Sequence, residues 1–207
     1  MKISTYWIFF LLIGLSISCA PSKRLSKSTL TSWQVSENDR FTDSVTSPLT
    51  PGDRETFKGL EFFSYDAAYK VVAKLERTPD ARIFEMTTTT SRKPKYRQYG
   101  ILTFKLKGQS LQLNVYQSQD LSDNPAFRKL LFLPFYDGST GQSTYGGGRY
   151  INLTIPEGDQ ITIDFNEAYN PYCAYRDGFS CPITPLENNL ESVVIMAGTK
   201  DFKKQGY

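Results

Sequence analysis

The chain is expected to fold as a mainly β domain, an antiparallel β-barrel or sandwich with minor helix. Three observations lead there. From Phe57 onward, apolar and polar residues alternate with a period of two through one short run after another. Residues that suit a pleated, half-buried surface are abundant, with 14 Phe, 13 Tyr and 2 Trp. Turn signals separate the runs at short intervals, and no long helical period interrupts them.

The N-terminus reads MKISTYWIFFLLIGLSISCAPSKR. Lys2 precedes an apolar run over residues 6–17, too short to span a bilayer comfortably and of the length found in an export signal. Ser18 followed by Cys19 resembles the bacterial lipoprotein signal, in which the cysteine is lipidated and becomes the first mature residue. Residues 1–18 are therefore expected to be a signal peptide, 19–54 a lipidated tether or short helix with a helical turn near 38–41, and 55–207 a β-rich domain. Acyl chains on Cys19, palmitate among them, would make the membrane a partner and leave the domain outside the cytoplasm, at the inner or the outer membrane.

Strands are expected over residues 58–63, 69–75, 83–88, 101–107, 111–117, 130–136, 150–155, 161–165 and 192–197. Around Gly108, Leu102, Phe104 and Leu106 alternate with Thr103 and Lys105, and Leu111, Leu113 and Val115 alternate with Gln112 and Asn114. This is the pattern of a hairpin with one buried face. Residues 120–128 suit a helical turn. A second hairpin is expected from 150–155 and 161–165, with 156–160 as the connection. Its core face carries Ile151, Leu153, Ile155, Ile161, Ile163 and Phe165, and its other face carries Tyr150, Asn152 and Thr154 beside Thr162, Asp164 and Asn166. Arg149 and Glu167 share the core parity, so the guanidinium needs a carboxylate and Glu167 is the expected partner.

Composition narrows the chemistry. A balance of 24 basic against 21 acidic residues gives +3, too mild for a nucleic-acid partner. The chain has no histidine, which excludes Ser-His-Asp and Cys-His catalysis and removes the commonest transition-metal ligand. No metal and no cofactor is expected.

The stretch DFNEAYNPYCAY stands apart from the plain alternation around it, with aromatics, asparagines, carboxylates, a proline and a cysteine in close succession. Together with LFLPFYDGSTGQSTYGGGRYINL, CPITPLENNL and IMAG it resembles the bacterial family called domain of unknown function 1684. The likeness covers residues 56–200. It is carried by Phe135, Asp137, Thr144, Tyr145, Gly148, Arg149 and Tyr150, then by Asp164, Phe165, Asn166, Ala168, Tyr169, Asn170, Pro171 and Cys173. Cys181, Pro182, Pro185, Asn188, Ala197 and Gly198 complete it, and Thr199 stands where the family has glutamate. The resemblance implies the domain and supplies no activity.

Each candidate site has a plainer reading beside it. Tyr145, Gly147, Gly148 and Arg149 suit a nest of backbone N–H groups next to a guanidinium, and with Asp164, Asn166, Tyr169 and Asn170 they are the expected site for a small polar or anionic ligand. The plainer reading is a turn in which glycine supplies a positive φ before a strand. Cys173 and Cys181 suit a disulfide outside the cytoplasm, with buried free thiols or a reactive or metal-bound pair as alternatives. Asp137, Asp164 and Glu167 suit paired-carboxylate hydrolysis, while aspartates near turns more often cap backbone N–H groups. The expected function is a non-catalytic binding or envelope-maintenance module. A hydrolase using Asp137, Asp164 or Cys173 and a surface that docks an envelope protein are the alternatives.

Overall fold

The computed structural model describes residues 30–202, so the expected signal peptide and Cys19 lie outside the described residues. Two helices come first. α1 (Ser32–Thr42) is capped reciprocally: the Thr31 hydroxyl accepts from the Gln34 N–H, and the Gln34 side chain accepts from the Thr31 N–H. α2 (Pro51–Thr56) begins at Thr50, with Pro51 in the first turn where no backbone donor is missed. The helical turn expected near 38–41 is therefore an 11-residue helix. It does not hang free as a spacer, because Phe41 and Leu49 are buried with Leu60, Phe62, Ala174 and Tyr175 in a small core of their own.

The strands are β1 (Lys70–Arg77), β2 (Ile83–Glu85), β3 (Lys95–Leu106), β4 (Gln109–Ser118), β5 (Leu130–Asp137), β6 (Arg149–Thr154), β7 (Gln160–Asp164) and β8 (Asn189–Leu190). They form one sheet in the order β6-β5-β4-β3-β1-β7, antiparallel along that path, with β2 attached to β3 and β8 running parallel to β5. The sheet curls into half a barrel, and its two edge strands come near each other without pairing. Its concave face holds the main core, including Leu102, Phe104, Leu113, Leu133, Ile151 and Ile163.

The hairpin expected around Gly108 is β3 and β4, in the expected register of buried faces. Its turn places Lys107 at φ 48° and Gly108 at φ 80°, the doubly positive backbone that follows the twist of the flanking strands. A bulge between Gln98 and Gly100 bends β3 against β1. A Cβ on Gly100 would lie 2.5 Å from the Glu76 carbonyl, so the two strands can approach only at a glycine.

Four expectations are corrected. Residues 150–155 and 161–165 do not pair with each other: β6 pairs β5, and β7 pairs β1 at the opposite end of the sheet. The 156–160 connection spans the gap instead, held by Arg77, which donates to the Pro156 and Gly158 carbonyls. Residues 192–197 form no strand. Val193, Ile195 and Ala197 are buried alternately, yet the backbone there bonds to side chains, with Asp137 accepting from the Ile195 N–H and Tyr69 from the Met196 N–H. Residues 58–63 reduce to a single bridge from Phe62 to Thr199, and 83–88 shorten to β2. Residues 120–128 form a succession of turns, as the sequence suggests.

Candidate functional site

On the convex face of the sheet lies a cleft of about 530 Å³, within the range of small-molecule sites. Its floor is made by Tyr96 on β3, Phe132 on β5, and Tyr150 and Asn152 on β6. These side chains share one face because Phe132 stands opposite Asn152 and Pro134 opposite Tyr150 in the β5–β6 register. One wall is α1, which presents Trp33, Glu37 and Arg40.

The opposite wall is the DFNEAYNPYCAY segment with the loop that follows it. Asp164 Oδ1 accepts from the Asn166 backbone N–H at 3.0 Å and from Asn166 Nδ2 at 2.8 Å, which ends β7 in a 3-10 turn over Phe165–Glu167. Tyr169 and Tyr150 then exchange two backbone hydrogen bonds of 2.9 Å, so the segment is laid along the free edge of β6. A second 3-10 turn, Tyr172–Ala174, leads to the disulfide between Cys173 and Cys181. Thr89 fastens this loop by donating to the Phe179 carbonyl and accepting from the Cys181 N–H. Glu167, Tyr169, Tyr172, Phe179 and Pro182 all face the cleft as a result.

The aromatic rings meet at steep angles. Phe132 and Tyr150 lie 4.7 Å apart at 75°, and Tyr150 and Tyr169 lie 5.8 Å apart at 90°. Burial raises the Tyr150 and Tyr169 hydroxyls well above their ordinary value, so both stay protonated. Each is spoken for: Tyr150 donates to the Pro182 carbonyl, and Tyr169 donates to Asn152 Oδ1 at 3.0 Å. Arg40 bonds to Glu37 and to the Tyr172 hydroxyl, and its guanidinium lies 5.2 Å from the Tyr172 ring centroid. Burial disfavours that charge, but Glu37 and the tyrosines outweigh it and hold Arg40 above its ordinary value. Glu167 is raised from its ordinary range, first by desolvation and next by Asp164. Among the described residues it makes no hydrogen bond and no ion pair, whereas the neighbouring Lys70 pairs with Asp164 at 3.4 Å.

Of the eight residues expected to bind a ligand, the structure brings only Tyr169 to this cleft. Arg149 is wholly buried. It pairs with Asp137 at 3.0 Å rather than with the expected Glu167, and it donates to the Ile195 and Ala197 carbonyls. Its charge is thereby neutralised inside the core, away from any solute. Glu167 loses the core parity because the 3-10 turn rotates it outward. Gly148 adopts φ +82°, and a Cβ there would lie 2.8 Å from the Phe135 carbonyl, so the glycine serves the turn before β6. Gly147 is half-buried under the Tyr145 ring, and Tyr145 packs on the small core around Phe41. Asn166 is buried against Asp164 and Asp66, and Asn170 is buried with its amide donating to the Lys200 carbonyl.

The carboxylates proposed for hydrolysis are engaged as well. Asp137 accepts from Ser139 N, Thr140 Oγ1, Arg149 Nη2 and Ile195 N, and Cys173 is consumed by its disulfide. Sequence reading puts Tyr150 and Asn152 on the face away from the core, where the structure has them, but passes over Tyr96, Phe132 and the helical wall as parts of a site. The one available signal was the Thr31 to Gln34 capping box, which announces a helix ahead of Trp33.

Comparison with known proteins adds a domain and no activity. The family model described as "Protein of unknown function (DUF1684)" matches residues 55–200. The chain is similar to the solution NMR structure of an uncharacterized protein of Haloarcula marismortui, at 36% identity and a TM-score of 0.64 over 82% of this chain and 91% of that one. No curated protein matches it.

Proposed function

Starting from the fact that this chain belongs to the family of unknown function DUF1684, we propose that it is a non-catalytic ligand-binding module held at a membrane surface by lipid on Cys19. The observation that carries the binding reading is the cleft. Its lining comes from α1, four strands of the sheet and the disulfide-closed loop, and it combines aromatic rings with polar groups that the protein leaves unused. Asn152 Nδ2, the Tyr96 hydroxyl and the Glu167 carboxylate have no partner among the described residues, so a bound molecule has donors and acceptors to meet.

The placement outside the cytoplasm is supported by the Cys173–Cys181 disulfide, a bond that persists in oxidising compartments. The proposed anchor, an acylated Cys19, rests on the apolar run and the Ser18-Cys19 pair of the sequence; no helix among the described residues is long and apolar enough to cross a membrane.

Native mass spectrometry of the exported full-length protein, released gently from mild detergent, tests both parts. An intact mass carrying acyl chains that Cys19→Ser removes supports the anchor. A bound adduct that is retained by the parent and lost from Tyr169→Leu supports the cleft. A protein that leaves the membrane fraction without acylation overturns the anchor, and a bare polypeptide together with no response to any added small molecule overturns the binding reading.

A further inference from the structure

Resting on that reading, we propose that the ligand of the cleft is an organic cation, an ammonium group carried on an apolar body. The charge count favours it. Glu37, Arg40 and Glu167 are the charged residues of the lining, and Arg40 is already matched by Glu37. Behind Glu167, Lys70 is shared with Asp164, which it pairs at 3.4 Å, so two carboxylates face one ammonium and a negative charge is left over at the cleft, with no free cation among the described lining residues to receive an anion.

The aromatic surface points the same way. A cation is drawn to the negative face of an aromatic ring, and rings set at steep angles to one another offer it several such surfaces from different directions. Tyr150 is buried and fixes its neighbours edge to face, meeting Phe132 at 75° and Tyr169 at 90°, and Tyr96 is tilted 44° against Phe132, so the half-buried rings of Tyr96, Phe132 and Tyr169 are the ones left to face a ligand. The protein already places one cation on this wall, the Arg40 guanidinium over Tyr172, and Tyr172 lines the same cleft.

The size of the cavity sets the rest of the molecule. About 530 Å³ is far more than an ammonium group fills. Leu121, Phe127 and Leu130 line it together with the Phe132 ring, an apolar stretch suited to a short hydrocarbon body. Desolvation and Asp164 both penalise the ionised form of Glu167, and a bound ammonium relieves that penalty.

The test is isothermal titration of the full-length protein in mild detergent with hexyltrimethylammonium, with the uncharged 1-hexanol, with hexanoate and with a neutral disaccharide. The ammonium compound is expected to bind about tenfold more tightly than the alcohol, the margin that a cation–π contact with a carboxylate beside it supplies. Glu167→Gln, a change at an exposed residue, is expected to erase most of the preference for the cation over the alcohol. Equal affinity for the cation and the alcohol, or tighter binding of hexanoate or the disaccharide, overturns the cation assignment and leaves the cleft as a binding site. Absence of binding by all four, with a native mass spectrum free of adduct, overturns the site itself.

Discussion

Asn188 donates from Nδ2 to the carbonyl oxygen of Pro134 at 2.7 Å, at a point where an interior strand of the sheet contains a residue with no N–H. The same amide donates to the Asn114 carbonyl, and its Oδ1 accepts from the Asn114 N–H, each at 2.8 Å. β4 and β5 share the single residue pair Tyr116–Phe132 and then diverge. The Asn188 side chain fills the gap and takes over the work of the missing ladder.

Asn188→Ala is therefore expected to destabilise the protein by about 2–4 kcal/mol, since it leaves buried backbone groups on both strands unpaired. Urea unfolding measures the loss. Hydrogen exchange at the Asn114 amide should accelerate far more than exchange along the β3–β4 hairpin.

The buried pair of Arg149 and Asp137 should respond non-additively. Arg149→Met leaves an uncompensated carboxylate in the core and Asp137→Asn an uncompensated guanidinium, and either is expected to cost about 3–5 kcal/mol. The double variant should cost clearly less than the two single changes together, which a double-mutant cycle on urea midpoints will show.

Gly198 is the point where the chain closes back on the turn after β7. It holds φ +77°, and a Cβ there would lie 2.5 Å from the Ala168 carbonyl. Gly198→Ala is expected to cost about 1–3 kcal/mol through the strained backbone alone, with more from the clash, and to lower the thermal midpoint.

Glu167 gives a pH signature. Its folded-state value is raised above the ordinary 4.5, so the folded protein holds this proton more tightly than the unfolded chain. The resulting stability is fully present at pH values below the unfolded value and is lost as pH rises through the raised folded one. Glu167→Gln is expected to remove that decline and to be slightly more stable than the parent near neutral pH. Solvent screening keeps the gain small at this exposed side chain. Urea midpoints between pH 4 and pH 8 will detect it as a flatter profile.

Reduction of the Cys173–Cys181 bond opens a loop whose cysteines are separated by 8 positions. The expected loss is about 2–3 kcal/mol from loop-closure entropy. Because this loop forms a wall of the cleft, ligand affinity should fall in Cys173→Ser/Cys181→Ser even at temperatures where the sheet remains folded, as read by titration next to circular dichroism.

Much of this fold could be read from the order of residues. The β3–β4 hairpin was legible because strict alternation on both arms met at a glycine, and alternation and turn chemistry pointed the same way. The same alternation identified the buried side of 150–155 and 161–165 but assigned the wrong partner. Parity fixes which way a side chain points and carries no information about which strand lies alongside. Residues 192–197 mislead for a related reason: Val193, Ile195 and Ala197 alternate inward as a strand's would, yet the backbone between them is claimed by Asp137, Arg149 and Tyr69.

The site was less legible than the sheet. Parity puts Arg149 on the core side, but the sequence offers Asp137 only for its turn or for hydrolysis, and a carboxylate that caps Ser139 can also face a guanidinium from the next strand. The polar composition of the stretch before Phe57 left only a short helix to expect where α1 runs for 11 residues, held by Phe41 packing on Tyr175 and by Arg40 bonding to Tyr172.

That docking joins residues 132 positions apart, Arg40 on α1 and Tyr172 in the closing loop. Helix α1 and the closing loop must therefore meet before the cleft exists. As the chain emerges in order of synthesis, Trp33 and Arg40 wait without their counterparts until the strands between them and Tyr172 are made, and the loop-closure cost of bringing them together falls late in folding. Any shortened chain that stops before Pro182 keeps most of the strands and loses part of the cavity wall, so the cleft depends on the closing loop in a way that the sheet alone does not.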